Sequence, residues 1–448
     1  MDGSLVSKHR VIAHPLPTTK IQSGNRIVAV KEEHAGISVG HNIIDQYSPL
    51  GSNTILQNAT ARTEFQIFST RLNSVCGIFI ELYVTNNDGV NSLELISPYF
   101  WPTLIEVLVN NNSEQEVYAE GNLWAHRAMT DEQTLILTRF INLLNPNTLT
   151  GRDAAGLNPI LIAPGETRVV YIPINNSLFE QTKVPFGSIK STLRFRYTWD
   201  IFGNVTSTQN LMIVPANLQV SSQQLYIFGT ALSRAGTDEI QTALLSSPYS
   251  ANYMKQERQV INNGATLPGQ RPKQSLTNFN GTYTNLVFLM RSLNPVKELQ
   301  YQWNFTPVVG YNPTRYYISQ VTLNDSNGSP YSLNQQSFLI SKYFDALLTG
   351  CKGEGAKYST FNDKFSFVVF TLSDDEWMEI RTGVPGGITI NNAWSIEYTV
   401  GNAGQPVISP YVNTPFPVLG EQTETCILGD RLYSILLDTN GQLKCSAQ

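Results

Sequence analysis

Three groups of side chains in this sequence have the types and spacing for chemistry: a run of acids, a scatter of glutamates, and a basic stretch near the start. "SDDEWME" (373–379) sets Asp374, Asp375 and Glu376 in succession, oxygen donors of the kind that hold calcium or share acid–base work. Consecutive residues of a strand or turn point different ways, and no EF-hand spacing follows, so a solvated strand end is expected. Glu81, Glu106, Glu116 and Glu120 would fall on strands. A glycoside hydrolase needs two carboxylates about 5–9 Å apart across a cleft, and nothing in the spacing pairs these four. His9, His14, His34 and His41 lie near the start and His126 stands alone, which leaves too few imidazoles for a copper site inside a sandwich. His126, beside Trp124, reads as a packing or surface residue. No G-x-S-x-G elbow or glycine-rich phosphate loop occurs. Cys76, Cys351, Cys426 and Cys445 are widely spaced and form no C-x-x-C pair, so free thiols are expected rather than a zinc site or disulfide scaffold. No catalytic residue, cofactor or metal site is expected.

Within the first 31 residues Lys8, Arg10, Lys20, Arg26 and Lys31 oppose only Asp2, on a chain whose net charge is -5. The body is therefore acidic, which argues against a surface that coats itself in nucleic acid. The arm differs, because clustered Lys and Arg suit anionic phosphates. Trp199 and Trp394 are candidates for a sugar-stacking platform, although their matching positions in two halves of the chain favour core packing. No apolar leader opens the sequence and no run reaches the roughly 18 apolar residues that cross a bilayer, so a cytosolic chain is expected.

What must position these residues is β structure. Charged residues make up only 15% of the chain and aromatics 10%, with Asn, Ser, Thr, Gly and Pro between short apolar runs, as in β-rich proteins. A length of 448 residues points to two domains. The decisive pattern is a phrase written twice. "VPFGSIKSTLRFRYT" (184–198) and "VPGGITINNAWSIEYT" (384–399) match at Val184/Val384, Pro185/Pro385, Gly187/Gly387, Tyr197/Tyr398 and Thr198/Thr399. Both end in period-two alternation, the mark of a strand with one buried face.

The flanks follow in the same order. "ETRVVYIPI" (166–174) faces "KFSFVVFTL" (364–372), "TLIEVLVNNNSEQ" (103–115) faces "YISQVTLNDSNGS" (317–329), "GIFIELYVTNNDG" (77–89) faces "TNLVFLMRS" (284–292), and "QQLYIFGT" (223–230) faces "DRLYSILLD" (430–438). A helix is expected in each half, at 130–144 and at 332–350, each opened by capping-box spacing: Thr130 with Gln133, and Ser332 with Gln335. The chain thus divides into an arm (1–49), a first sandwich (50–230), a linker with a short helix at "TDEIQTALL" (231–273), a second sandwich (274–440) and a tail (441–448). The expected fold class is all-β: two tandem eight-stranded jelly-roll sandwiches, each with a flanking helix, in one chain. A generic Greek-key sandwich is the competing architecture.

"TEFQIFSTRLNSVCGIFIELYVTNN" (63–87), "IEVLVNNNSEQEVYAEGNLWAHR" (105–127), "IAPGETRVVYIPI" (162–174) and "STLRFRYTWD" (191–200) together resemble the double jelly-roll major capsid proteins of tailless icosahedral viruses, the lineage of membrane-containing bacteriophages and the adenovirus hexon. "KFSFVVFTL" and "WSIEYTVG" continue the likeness, which spans roughly residues 50 to 440; the opening arm matches no repeated element. The resemblance implies a structural protein of the virion, assembled in the host cytoplasm as a homotrimer, with neighbouring capsomers and penton and minor capsid proteins as partners. It also gives the basic arm a candidate role at an internal membrane or genome, against the alternative of docking on a neighbouring subunit. Long loops at 145–159 and 413–425 are candidate trimer contacts. A carbohydrate-binding adhesin and, behind it, a glycoside hydrolase remain the rival readings of the residues themselves.

Overall fold

The computed structural model describes residues 41–51, 61–68, 70–95, 101–118, 121–122, 136–137, 140–141, 160–174, 177–180, 182–199, 218–265, 270–292, 318–328, 330–334, 366–371, 388–400 and 422–447. The first half holds β1 (His41–Tyr47), β2 (Ala61–Ile67), β3 (Ser74–Asn86), β4 (Leu93–Leu95), β5 (Pro102–Val109), β6 (Asn112–Tyr118), β7 (Ile160–Ile162), β8 (Thr167–Ile174), β9 (Leu193–Trp199) and β10 (Leu218–Ala231). The second holds β11 (Tyr249–Ala265), β12 (Lys273–Ser275), β13 (Gly281–Ser292), β14 (Ile318–Asn324), β15 (Pro330–Asn334), β16 (Ser366–Thr371), β17 (Ile388–Ile390), β18 (Ser395–Val400), β19 (Gln422–Leu437) and β20 (Leu443–Ala447).

Four sheets carry the architecture, in the orders β1-β10-β3-β8 and β2-β9-β5-β6, then β11-β19-β13-β16 and β12-β18-β14-β15. Strands β4 and β7 pair only with each other, while β17 adds to β13 and β20 to β19. With those four set aside, each half has eight strands joined as first-eighth-third-sixth and second-seventh-fourth-fifth. The two halves therefore share one topology, and it is the jelly-roll expectation rather than the looser Greek-key one that is met. Every pairing is antiparallel.

The repeated phrase ends in β9 and β18, the seventh strand of each sandwich. Leu193, Phe195, Tyr197 and Trp199 face inward, with Arg194, Arg196 and Thr198 on the wetter side, and Ile396 and Tyr398 repeat the pattern around Glu397. The other matched runs also occupy equivalent strands: β3 with β13, β5 with β14, β8 with β16 and β10 with β19. In the first core Tyr197 stacks on Trp199 at 5.3 Å between centroids and meets Phe65 edge-on at 5.9 Å. In the second, Phe288 packs on Tyr398 at 4.9 Å.

The duplicated tyrosines differ in one atom's surroundings. Tyr398 Oη accepts a hydrogen bond from Thr425 Oγ1 at 3.1 Å, whereas the buried Tyr197 Oη has no partner among the described residues. An unsatisfied buried hydroxyl is a net cost, so Tyr197→Phe is expected to leave stability unchanged or raise it by up to about 1 kcal/mol. Tyr398→Phe, which removes the acceptor of the Thr425 hydroxyl and leaves it the bond it accepts from Asn263 Nδ2 at 2.9 Å, is expected to lower it by about 1 kcal/mol. Urea midpoints of the two variants should move in different directions.

Several sequence boundaries shift. Residues 249–265, placed in the linker, are β11, which pairs along its length with β19; β1 begins inside the arm, and β20 forms from the tail. The linker helix is present and starts earlier, at Arg234–Ser246, with Ser233 Oγ capping the Gly236 N–H and Ile240 and Leu244 buried. We call it α1. In the stretch expected to form the first flanking helix, Ile136, Leu137, Phe140 and Ile141 are helical. The capping box drawn at Ser332 fails, because Ser332 pairs with Thr322 inside the β14–β15 hairpin; the rest of that expected helix lies outside the described residues.

Candidate functional site: the seam between the sandwiches

Lys8, Arg10, Lys20, Arg26 and Lys31 lie outside the described residues, as do His126, Glu120, the acidic run 374–376, the loop 145–159 and residues 413–421. The remaining glutamates are placed. Glu106 and Glu116 come opposite one another on β5 and β6, on the outer face of their sheet. Glu106 is tied to Arg196 at 3.3 Å, and Arg196 in turn to Glu64 at 2.6 Å, so these acids form an ionic ladder across β2, β9 and β5. Glu81 stands on the other sheet. Trp199 is 1% and Trp394 5% exposed, and Trp199 Nε1 donates to Thr63 Oγ1 at 2.9 Å; both indoles are core residues and offer no face to a sugar. Among the described residues no group of three or more His, Cys, Asp or Glu is placed to hold a metal ion.

What the chain does build is a joint. An antiparallel sheet ends in edge strands whose unpaired carbonyls invite unwanted pairing. Here the edge strand β6 of the first sandwich lies beside the edge strand β11 of the second. Tyr253 Oη donates to the Glu114 carbonyl at 2.9 Å and Lys255 Nζ to the Ser113 carbonyl at 2.9 Å. One turn of helix at Ser177–Glu180 completes the receiving side: Gln115 Oε1 accepts from the Leu178 N–H at 3.0 Å, and Tyr249 Oη donates to the Thr182 carbonyl. The β19–β20 hairpin grips from another direction. The Lys190 N–H donates to the Gly441 carbonyl at 2.7 Å, and the Leu443 N–H to Ser191 Oγ at 2.9 Å. Gly441 has φ +80 and its missing Cβ would lie 2.7 Å from the Ser188 carbonyl oxygen, so both the turn and the close approach require glycine.

The apolar residues follow the same line. Tyr249, Tyr253, Ile435, Leu437 and Leu443 of the second half belong to the buried cluster that contains the core of the first. This continuity makes the two sandwiches one body. Burial is also legible in the ionisation of the seam. Desolvation pushes Cys445 up to about 12 and raises Glu114 despite nearby Lys255. A carboxyl raised in the folded state contributes stability at acid pH that is lost as the pH rises through its folded value. At the outer end of β1, burial alone would raise Asp45, yet the Arg71 N–H, its guanidinium and the Thr70 hydroxyl together hold it below the usual carboxylate range.

No protein-family model matches the chain, and no curated protein matches it by sequence. Solved structures do. VP54 of PBCV-1, as fitted into a cryo-EM reconstruction of the virophage Sputnik, is 13% identical, with 92% of this chain and 97% of that one covered and a TM-score of 0.61. The quasi-atomic PBCV-1 virus capsid aligns at 13% identity, 92% and 97% coverage and a TM-score of 0.59. The chain has the double jelly-roll fold. A third double jelly roll, from the Sputnik virophage, matches at 13% identity over 90% of this chain and 88% of that one, with a TM-score of 0.53. Identity this low leaves the fold in common and little of the surface. The seam contacts are backbone carbonyls reached by Tyr and Lys side chains and a backbone N–H received by Ser191 Oγ, for which sequence carries no signature beyond the repeat that announces two sandwiches.

Proposed function

We propose that this protein is a major capsid protein that trimerises into pseudo-hexameric capsomers and tiles an icosahedral viral shell. The observation that carries the reading is the seam: two sandwiches of identical strand order joined edge to edge within a single chain. Three such chains around a threefold axis present six similar sandwiches to a lattice position with six neighbours, and sequence differences between the halves let those edges meet neighbours in more than one way. The full-length likeness to viral capsid structures supports it. The trimer would bury on the order of 2,000 Å² or more per subunit pair, as obligate interfaces do. Contacts to adjoining capsomers and to penton and minor capsid proteins would each be weaker and act together. Its place is the virion, with assembly in the host cytoplasm, and its role is structural rather than enzymatic. We further propose that Lys8, Arg10, Lys20, Arg26 and Lys31 meet a phosphate-bearing interior surface, lipid or genome. Light scattering of the purified protein is expected to give about 150 kDa, three times the 49.9 kDa chain, and electron microscopy hexagonal arrays at high concentration; a species that stays monomeric would overturn the proposal.

A further inference from the structure

The seam joins unlike edges: β6, the fifth strand of one sandwich, receives β11, the first strand of the other. Because the halves share one strand order, each has an edge of either kind, and the seam uses one from each. Left over are the first strand of the first sandwich, β1, and the fifth strand of the second, β15, both terminal in their sheets. Open edges of complementary kind on one chain can meet head to tail between copies and close into a ring.

Two landmarks set the equivalence residue by residue. A Cβ on Gly229 would lie 3.0 Å from Leu72 Cδ2 and one on Gly429 2.5 Å from Phe279 Cε1, so the eighth strand of each half passes closely under the loop that follows its second strand. Asp45 pairs with Ile227 and Gln259 with Ile427, two residues before these glycines. Both are buried, and each holds that loop: Asp45 accepts from the Arg71 N–H at 3.1 Å, and Gln259 Oε1 from the Asn278 N–H at 3.1 Å. The preceding residue of each strand faces the other way. In β11 it is Arg258, which lies in the seam over the Tyr118 ring of β6 at 5.3 Å. In β1 it is Ile44, and it is 50% exposed.

Two more apolar side chains share that side. The Leu50 N–H donates to the Glu64 carbonyl of β2 at 2.7 Å, which puts the edges of both sheets together here, and Leu50 is 44% exposed. Phe68, 75% exposed, opens the loop that Asp45 anchors. A fixed loop that offers a phenyl ring to water beside an open edge marks a contact surface. We propose, on the basis of the trimer put forward above, that this side of β1 and β2, with Ile44, Leu50 and Phe68, receives the β15 edge of a second copy of the chain. The contact between molecules then repeats the one within the molecule.

Light scattering of the full-length protein over a concentration series tests this. Ile44→Glu combined with Phe68→Glu is expected to raise the concentration at which the trimer dissociates at least ~100-fold, because two apolar contacts are replaced by charges that would have to be buried. Val90→Glu and Leu245→Glu, at apolar positions exposed elsewhere, in the turn after β3 and on α1, should behave as wild type. A wild-type trimer that the double variant leaves intact, or that the Val90 and Leu245 variants break as readily, overturns the edge assignment while the trimer stands. A wild-type protein that stays monomeric removes both. Should the double variant fail to fold, Ile44→p-benzoylphenylalanine decides: in a mixture of light and heavy-isotope copies, photo-cross-links between copies are expected into Pro330–Asn334. Cross-links that fall only on other segments, or only within one copy, overturn the assignment.

Discussion

Tyr253→Ala is expected to cost about 3–5 kcal/mol and to split a single thermal transition into two. The ring is fully buried, in the cluster that joins the two cores, and its hydroxyl holds the Glu114 carbonyl of the edge strand β6. Truncation leaves a cavity at the joint and an unpaired carbonyl, while each sandwich keeps its own two sheets. Tyr253→Phe, which removes only the hydrogen bond, is expected to lose about 1 kcal/mol and keep one transition. Differential scanning calorimetry separates the cases. If the Ala variant unfolds in one step at the wild-type midpoint, the sandwiches are not coupled through this contact. Under the proposed function the Ala variant should lose ordered assembly before it loses either sandwich, because the joint that ties the two together is weakened.

The parts of the fold that sequence revealed were strands with one dry face. β9 and β18 alternate aromatic with polar residues, and β3, β8, β10, β13 and β16 are apolar enough to stand out. The strand β11 was hidden because "YSANYMKQERQVINNGA" carries few β-branched or apolar residues. Lys255 and Tyr253 spend their polar ends on the neighbouring sandwich, and Glu257 sits in a partly buried ionic cluster, so burial here does not look apolar. β1 and β20 were missed for a related reason: both are edge additions whose stability comes from the ladder they join. The capping-box spacing at Ser332 misled because Ser and Gln at that interval also fit a hairpin strand, and the Asp325–Gly328 turn decided for the strand: Gly328 has φ +78 and its N–H donates to the Asp325 carbonyl at 3.0 Å. Of the candidate acids, Glu106 and Glu116 meet across β5 and β6, while Glu120 and the run 374–376 lie outside the described residues. The seam itself could be reached only as a consequence of duplication.

The cluster around Glu257 gives the second large effect. Arg431 lies 3.1 Å from Glu257, with side chains 16% and 18% exposed, and Tyr433 Oη donates to the same carboxylate at 3.0 Å. Tyr283 Oη is its third donor. Gly281 makes the arrangement possible, since a Cβ there would come within 2.3 Å of Arg431 Nε. An exposed pair is worth about 0–1 kcal/mol and breaking a buried one costs about 3–5; this partly buried pair with two tyrosine hydroxyls falls between, so Glu257→Ala is expected to cost about 3 kcal/mol. Glu257→Gln keeps an acceptor and loses the charge, and should cost about half as much. The pH dependence has a definite sign. Burial first, then the Glu257 charge, pushes Tyr433 up to about 12, so between the ordinary tyrosine value near 10 and that point the unfolded chain releases a proton that the folded chain keeps. Stability therefore falls as the pH climbs through this window. In Glu257→Gln the charge contribution is gone, Tyr433 should ionise at lower pH, and a spectrophotometric tyrosine titration should show the shift. A titration curve identical to wild type would mean that Glu257 does not raise Tyr433.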